Sequence, residues 1–509
     1  MQTRTFPASY LDLFKDEPAA HQNVFLQRTP DHTPPPTFAA ARGRLPQPFW
    51  DGHDTEIACY WIVWELAFRN LRQPNEKNGF ITPFIDTAFN DCLFLWDSVF
   101  ILMFARYGSR TFNFQQTLDN LYHRQTPDGF ITREIQQWDG QMRFHRHDPP
   151  STGPNVLAWS EWEYFLNTGD ELRLAEVFPV LLGYHRWLRT FRTWRDGSYW
   201  SCGLACGMDN QPRTPPGADP HVEHGHMAWV DATAQAALSA RLLVAMAATL
   251  DRAGDVDDLR AEATTLGAFL NECMWDPARG FYCDRLRDGT LSTVPSVAAF
   301  WTLLAGVVPG ERLEVLMAHL HDPAEFNRPH RVPSMGASHP AYDATGGYWK
   351  GGVWPPTNYM VLRGLTESGQ DALAFEIATN HLRNVTEVYA RTGTVWENYA
   401  PESASPGGIA KRDFVGLGGV GPVAVLLEYL FGLRPDVPRG RLVLDVRLTE
   451  AYGVTQYPFG ANGLLDVAVG ARGGQDEEPA VRLRANRPLQ VVLRWAGGER
   501  QIDVAAEAL

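Results

Sequence analysis

Two loop carboxylates stand out as groups able to move protons. Asp209 lies in Ala205-Cys-Gly-Met-Asp-Asn-Gln-Pro-Arg213, between apolar Met208 and turn-forming Asn210, where partial desolvation would raise its pKa and keep it protonated. Glu397 lies in Thr394-Val-Trp-Glu-Asn-Tyr-Ala-Pro-Glu402, directly after Trp396. One protonated and one ionised carboxyl meet the needs of glycosidic cleavage: a proton for the leaving oxygen, and a carboxylate for water or the anomeric carbon. A loop Asp before Asn also reads as a turn or N-cap, so both readings stand at this point. The densest stretch, Gly346-Gly-Tyr-Trp-Lys-Gly-Gly-Val-Trp-Pro-Pro-Thr-Asn358, joins glycines that let backbone approach a ligand to aromatic faces that stack on a flat, partly apolar ring such as a pyranose. Leu95-Trp-Asp97, Gln125, Arg133 and Asn358 offer donors and acceptors for hydroxyls. Trp349 and Trp354 read equally well as plugs for the end of a core.

Such residues act only when a scaffold brings them together, and the chain is long enough to build one. At 509 residues it has room for two to four domains, or one large domain with an appendage. Its 44% hydrophobic and 20% charged residues are those of an ordinary globular protein. Residues 1–50 are Pro-rich, with Thr33-Pro-Pro-Pro-Thr37 and Leu45-Pro-Gln-Pro-Phe49, and read as an extended arm. Residues 51–434 carry a helical pattern: Leu266, Phe269, Leu270, Cys273 and Met274 fall at i, i+3, i+4, i+7 and i+8, and Ala374, Ile377, Ala378, His381, Leu382 and Val385 repeat it. Caps and breakers predict about twelve helices, over 54–73, 96–107, 114–123, 154–167, 171–193, 230–252, 256–275, 291–306, 310–321, 356–368, 371–390 and 419–432, with Pro179 breaking or kinking the fifth. Long connections follow odd-numbered helices and short ones follow even-numbered helices. Short connections force antiparallel neighbours, so this alternation predicts six helix pairs closing into an (α/α)6 barrel with every long loop on one rim. From 435 to 509 the period changes to two, as in Leu442-Val-Leu-Asp-Val-Arg-Leu448 and Val491-Val-Leu-Arg-Trp495, and predicts a small antiparallel β unit.

Composition removes several function classes. Lys+Arg 45 against Asp+Glu 59 leaves a net charge of -14, the wrong sign for binding a phosphate backbone, so no nucleic-acid partner is expected. The N-terminal residues show no apolar signal region, and no run approaches the roughly 18 apolar residues of a membrane span, so the expectation is a cytoplasmic protein without a membrane partner. The six cysteines are too sparse for a disulfide scaffold. Cys202 and Cys206 lack a second Cys or His pair at a zinc-site spacing, so no metal is expected on them, and no cofactor is expected. The expected partner is a small carbohydrate; a homo-oligomer is compatible with the chain.

Three motifs together carry a family resemblance. Gly207-Met-Asp-Asn-Gln-Pro-Arg213, Tyr342-Asp-Ala-Thr-Gly-Gly-Tyr-Trp-Lys-Gly-Gly-Val-Trp-Pro-Pro-Thr-Asn-Tyr359 and Trp396-Glu-Asn-Tyr-Ala-Pro-Glu402 resemble glycoside hydrolase family 63 and its trehalase-like relatives. Leu95-Trp-Asp-Ser-Val-Phe100, Gln125-Thr-Pro-Asp-Gly-Phe-Ile131, Trp159-Ser-Glu-Trp162 and Trp229-Val-Asp-Ala-Thr-Ala-Gln235 support it in family order. The resemblance implies an (α/α)6 barrel and an inverting, exo-acting α-glycosidase without a metal, acting on a small α-glucoside or α-mannoside of disaccharide or glycosyl-glycerate type. It implies Asp209 as general acid, Glu397 as general base, carboxyl groups roughly 6.5 to 9.5 Å apart, and Trp96, Asp97, Gln125, Tyr348, Trp349 and Trp354 as the lining of the sugar pocket. Loops 74–95, 134–153 and 214–228 are expected to close over the aglycone, Asp343 to shape its own loop, and Glu402 to bind a hydroxyl or an Arg. The chain departs from the family pattern at Ala205-Cys206, Lys350-Gly-Gly352 and Asp413-Phe-Val-Gly-Leu-Gly-Gly419, which leaves the acid and base intact and bears on the aglycone subsite and so on the identity of the substrate. The rival classes are an (α/α)6 sugar isomerase or epimerase using a pair from His145, His147, His224 and His226, and a noncatalytic glycan-binding protein.

Overall fold

The computed structural model describes residues 16–88 and 90–509; the first part of the expected N-terminal arm, with the N-terminus read above for a signal region, lies outside the described residues. The protein is mainly helical, with strands gathered at its C-terminal end. The helices are α1 (Asp54–Arg69), α2 (Leu95–Ala105), α3 (a 3-10 turn Phe114–Leu118 running into Asp119–Tyr122), α4 (Leu157–Thr168), α5 (Glu171–Phe191) and α6 (Val230–Thr249). They continue as α7 (Asp257–Cys273), α8 (a 3-10 turn Val297–Phe300 running into Trp301–Leu304), α9 (Gly310–His321), α10 (Pro355–Glu367), α11 (Asp371–Thr392) and α12 (Val420–Leu430).

These spans follow the expected ones closely, and the departures have local causes. Helix α5 runs unbroken through Pro179, because Val177, Phe178, Val180, Leu181 and Leu182 are all buried around it and outweigh the lost backbone bond. The stretch expected as helix from 291 starts only at Val297, after Pro295, with Ser296 accepting from the Ala298 amide as its cap. Helix α12 has i→i+5 hydrogen bonding throughout, a π-helix.

The sequence of each helix states its layer. In α2 every residue but Asp97 is buried, and in α12 all are, as expected of helices apolar around their whole circumference. In α7 the buried residues are Leu259, Leu266, Phe269 and Leu270, a single stripe. The all-round apolar helices contact one another in order: α2 on α4, α4 on α6, α6 on α8, α8 on α10, α10 on α12, and α12 on α2. Helices α1, α5, α7 and α11 pack outside them. Close approach of α12 to α2 depends on Gly419, where a Cβ would come within 2.5 Å of the Phe104 ring. Helix α6 is 20 residues long and apolar enough to cross a membrane by length and composition, contrary to the expectation above, but most of it is buried inside the helical layers.

Two four-stranded sheets lie at the other end of the chain. One joins β1 (Gln47–Trp50) to β4 (Tyr452–Pro458), β5 (Leu464–Val469) and β6 (Val481–Ala485). The second has the order β8-β7-β3-β2, with β2 at Leu433–Asp436, β3 at Arg441–Asp445, β7 at Leu489–Trp495 and β8 at Gly498–Val504. The unit is not wholly antiparallel as expected: β7 runs parallel to β3, with Val491 opposite Leu442. The arm is only partly extended in the way its prolines suggested, since helical turns occupy Ala20–Gln22, Val24–Gln27, Phe38–Ala41 and Arg42–Arg44, and its extended end, Gln47–Trp50, enters the C-terminal sheet opposite Tyr452–Thr455.

The inner helices share a direction of use. The residues that line an aromatic cavity precede or open them, whereas a buried ionic cluster stands at their other ends. Glu428 on α12 accepts from Arg106 at 2.7 Å, from Tyr107 at 2.8 Å and from Tyr359 at 2.9 Å, and Arg363 on α10 bonds Glu163 on α4 at 2.5 Å. Removing one member of such a cluster strands the rest without compensation. Glu428→Ala is expected to destabilise the protein by about 3–5 kcal/mol, read as a lower urea midpoint with an unchanged m-value; a midpoint equal to wild type would show that water replaces the carboxylate at no cost.

Candidate active site

The Asp209 loop is built by anchoring every neighbour of the aspartate. A short helix, Gly203–Cys206, ends at Gly207 in the left-handed conformation (φ +80°), and a Cβ there would lie 2.8 Å from the Trp96 indole. The Asn210 side chain bonds the opposite loop twice: its Nδ2 donates to the Gly347 carbonyl at 3.1 Å and its Oδ1 accepts from the Trp349 amide at 2.9 Å. Gln211 donates to the Ser334 carbonyl at 2.7 Å and accepts from Ser296 Oγ at 2.6 Å. Arg213, fully buried, is bidentate to both Asp231 and Asp284 at 2.6–2.8 Å. The dense motif is therefore a set of anchors around the Asp209 carboxyl.

The facing loop carries backbone strain. Gly346 and Gly347 have φ of +105° and +46°, and Tyr348 follows at +65°, unusual for an aromatic residue. Trp349 and Trp354 stack face to face, 3.8 Å apart and 3° from parallel, and the Trp354 indole donates to the Tyr348 carbonyl at 3.1 Å. This holds the Tyr348 hydroxyl against Glu397, to whose Oε1 it donates at 3.2 Å. Glu397 Oε2 accepts from the Lys411 amide at 3.1 Å, and backbone pairing of Val353 with Tyr399 ties the two loops together.

These loops enclose a cavity of about 180 Å³. Its walls hold Asp209, Glu397, Trp96, Asp97, Tyr348, Trp349 and Trp354 together. Gln125 is elsewhere: the turn Thr126–Phe130 buries it against α5, where Nε2 donates to the Val180 carbonyl at 2.8 Å and Oε1 accepts from Asn23 at 3.1 Å. Asn358 is likewise buried away from the cavity, on the Val332 carbonyl at 3.2 Å. Of the loops expected over the aglycone, 74–95 supplies Asn90 and 134–153 supplies Arg143 and Phe144, but 214–228 does not line the cavity. It packs instead, with His224 and His226 rings 4.6 Å apart and His224 against Trp194 and Trp200. Asp343 bonds its own loop through Thr345, and Glu402 binds Arg328 with both oxygens at 2.8 Å and accepts from Tyr342 at 2.6 Å. Cys202 and Cys206 are buried free thiols. Arg143 and Phe144 gave no signal in sequence, since nothing in a charged, irregular loop marks which side chains turn inward.

The electrostatics of the cavity follow from three carboxyl groups sharing it. Burial pushes Asp97 up to about 7, with Glu397 and Asp209 adding to the rise. Burial lifts Asp209 to about 6, opposed by Arg133 and His221. Burial raises Glu397 to about 7, against the pull of the Lys411 amide and the Tyr348 hydroxyl. Tyr348 is pushed far up by burial and the same carboxylates, so it stays a hydrogen-bond donor. Arg133 and Arg143 are the cations in the wall, and both pair with Glu134; Arg133 also donates to the Leu204 carbonyl at 3.2 Å and lies over Phe144 at 5.1 Å. The Trp96 indole N–H is buried without a hydrogen-bond partner.

Residues 92–415, more than half of the chain, match the family described as the mannosylglycerate hydrolase MGH1-like glycoside hydrolase domain. The protein is thus a glycosidase. The chain belongs to this MGH1-like family, within glycoside hydrolase family 63. Among curated proteins it is 26% identical over 359 residues to the mannosylglycerate hydrolase of Thermus thermophilus, covering 57% of this chain and 85% of that one. It is 25% identical over 277 residues to a probable mannosyl-oligosaccharide glucosidase of Schizosaccharomyces pombe, covering 48% of this chain and 33% of that protein. Among solved structures, a family 63 mannosylglycerate hydrolase of Thermus thermophilus in complex with glucose superposes with a TM-score of 0.56 at 21% identity, over 72% of this chain and 99% of that one. The neutral trehalase of Saccharomyces cerevisiae superposes with a TM-score of 0.52 at 13% identity, over 68% and 73%.

Asp97 gives a direct check on the shared charge. Its folded pKa, about 7, exceeds the unfolded value near 3.9, so between those values the folded chain binds more protons than the unfolded one. Stability from this group is present below pH 4 and is lost as pH rises through 7. Asp97→Asn removes that loss, so the stability of the variant relative to wild type is expected to rise between pH 4 and 7 and level off above, by urea denaturation at each pH. A constant difference across that range would mean that Asp97 is ionised throughout in the folded protein.

Proposed function

We propose that this protein is an inverting, exo-acting α-glycoside hydrolase on an (α/α)6 barrel, acting on a small glucoside or mannoside of the glycosyl-glycerate type. The cyclic contact order of α2, α4, α6, α8, α10 and α12, with the other helices outside, supports the barrel, as does the trehalase likeness. The catalytic unit then spans 51–434, flanked by the N-terminal arm and the C-terminal β unit. Family membership and the Thermus mannosylglycerate hydrolase relative support the substrate type. A cavity of about 180 Å³ is smaller than the roughly 300–1,000 Å³ of drug-sized sites, which favours one sugar ring and a short aglycone over a polymer.

The observation that carries the reading is the unequal setting of two carboxyl groups in one cavity. The three raised groups titrate as a set, so their protons belong to the set rather than to one residue. Hydrogen bonding separates the roles. Glu397 receives an O–H and an N–H, which favour its ionised form. Among the described residues no comparable pair of donors reaches Asp209; burial still leaves Glu397 near 7 and Asp209 near 6, so in this reading the shared proton moves to Asp209 when a glycosidic oxygen is there to accept from it. In the reaction Asp209 gives that proton to the glycosidic oxygen as the C1–O bond breaks, while Glu397 takes a proton from water attacking the opposite face. The sugar leaves with inverted configuration, the α-glycoside giving the β-hemiacetal first. No histidine is among the cavity residues, which weighs against the His-pair isomerase.

A panel of kojibiose, nigerose, trehalose, glucosylglycerate and mannosylglycerate is expected to contain one substrate, with the β-anomer released first by proton NMR. Asp209→Asn and Glu397→Gln should each lower kcat by about 10²–10⁴-fold. Undiminished turnover in Asp209→Asn would move the acid to another carboxyl, and an α-anomeric first product would exclude inversion. Tyr348→Phe removes a donor from Glu397 and so raises its pKa; the acidic limb of the kcat/KM profile is expected to move to higher pH. A fall in affinity with the limb unmoved would make Tyr348 a sugar contact alone.

A further inference from the structure

Five arginines are buried among the described residues: Arg106, Arg173, Arg192, Arg213 and Arg331. Four have carboxylate partners. Arg106 pairs with Glu163 and Glu428, Arg173 with Asp119 and Glu161, Arg213 with Asp231 and Asp284, and Arg331 with Glu376. Arg192 differs, for its partners are neutral. Its Nη1 donates to the Phe191 carbonyl at 3.3 Å, and its Nη2 to the Asp148 carbonyl and Ser151 Oγ, both at 2.8 Å. The Trp187 and Trp200 rings stand 4.8 and 4.6 Å from its guanidinium carbon. Its Nε is buried without any partner. The Phe191 carbonyl at the end of α5, the Asp148 carbonyl and two indole faces offset part of a buried cation's desolvation, and the rest calls for negative charge. Burial pulls this guanidinium down to about 10, and the Asp148 carboxylate, which forms no ion pair with it, offsets the fall only in part.

A second cavity of about 30 Å³ adjoins it, lined among others by Arg192, Gln235, Ser201, Trp200 and Pro154. Gln235 is 1% exposed, and its Nε2 is also buried without a partner. No Asp or Glu is among the lining residues. We propose that this cavity is a binding site for a small monovalent anion of the halide class, held by Arg192 Nε and Gln235 Nε2. One water needs about 10–15 Å³ of such volume, so the space suits one halide better than phosphate or a sugar acid. A water would satisfy the two N–H groups but leave the cation uncompensated. Pro154 lines both this cavity and the catalytic one, and Ser201 leads directly into the Gly203–Cys206 helix before Asp209. The anion therefore braces the back of the loop that carries Asp209.

The test uses the whole protein exchanged into sodium gluconate. Replacing gluconate by chloride at constant ionic strength is expected to raise Tm saturably, and crystals soaked in sodium bromide are expected to show an anomalous peak within hydrogen-bonding reach of Arg192 Nε and Gln235 Nε2. Arg192→Met should abolish both. If that variant does not fold, Gln235→Leu, which keeps the cation and removes one donor, should shift the chloride midpoint to higher concentration. Absence of bromide at Arg192, or bromide only at other positions while chloride raises Tm, overturns the proposal and leaves the carbonyls, indole faces and water as the whole compensation.

Discussion

Three carboxyl groups in one cavity screened from water cannot all be charged near neutral pH. Asp97, Asp209 and Glu397 line the same walls, and burial lifts each of them far above the ordinary carboxylate range. The protein answers this with little positive charge. Arg133 and Arg143 are the guanidiniums that line the cavity; both are engaged with Glu134, and Arg133 with the Leu204 carbonyl as well. The result is a set of groups poised to hold and release protons together, and much of the surrounding structure keeps them at that spacing.

That task falls on the loops rather than the helices. Asn210 reaches across to Gly347 and Trp349, Gln211 to Ser334 and Ser296, and Arg213 to two buried aspartates. Tyr348 is held at a strained backbone angle by the stacked pair Trp349 and Trp354, and the strain places a hydroxyl on Glu397. A loop so heavily tied behaves as part of a rigid scaffold, which acid–base chemistry over a small ring demands.

The helices supply polarity of another kind. Trp96 and Asp97 open α2, Pro154 precedes α4, Asp209 precedes α6, Trp354 precedes α10 and Glu397 precedes α12, whereas Arg106, Glu163, Arg363 and Glu428 stand at or near the closing ends of the same helices. One end carries the aromatic cavity; at the other, paired charge lines a separate cavity of about 200 Å³, which β2 borders through Arg434, itself paired with Asp371 and Asp445.

Hydrophobic period and breakers were enough to place the twelve helices, because an element's burial pattern is written at a spacing of three or four residues and needs no distant partner. Motif density likewise pointed to Asp209, Glu397, Trp96, Asp97, Tyr348, Trp349 and Trp354, since residues that crowd a site crowd the short loops that form it. Gln125 was misplaced because a polar residue in a loop looks the same whether it faces a ligand or, as here, satisfies the Val180 carbonyl. The parallel pairing of β7 with β3, the entry of Gln47–Trp50 into a sheet four hundred residues away, the inward turn of Arg143, the π-helical winding of α12 and the unpaired burial of Arg192 were all decided in three dimensions. Each depends on contacts between segments remote in the chain, and local pattern carries no record of which remote segment will arrive.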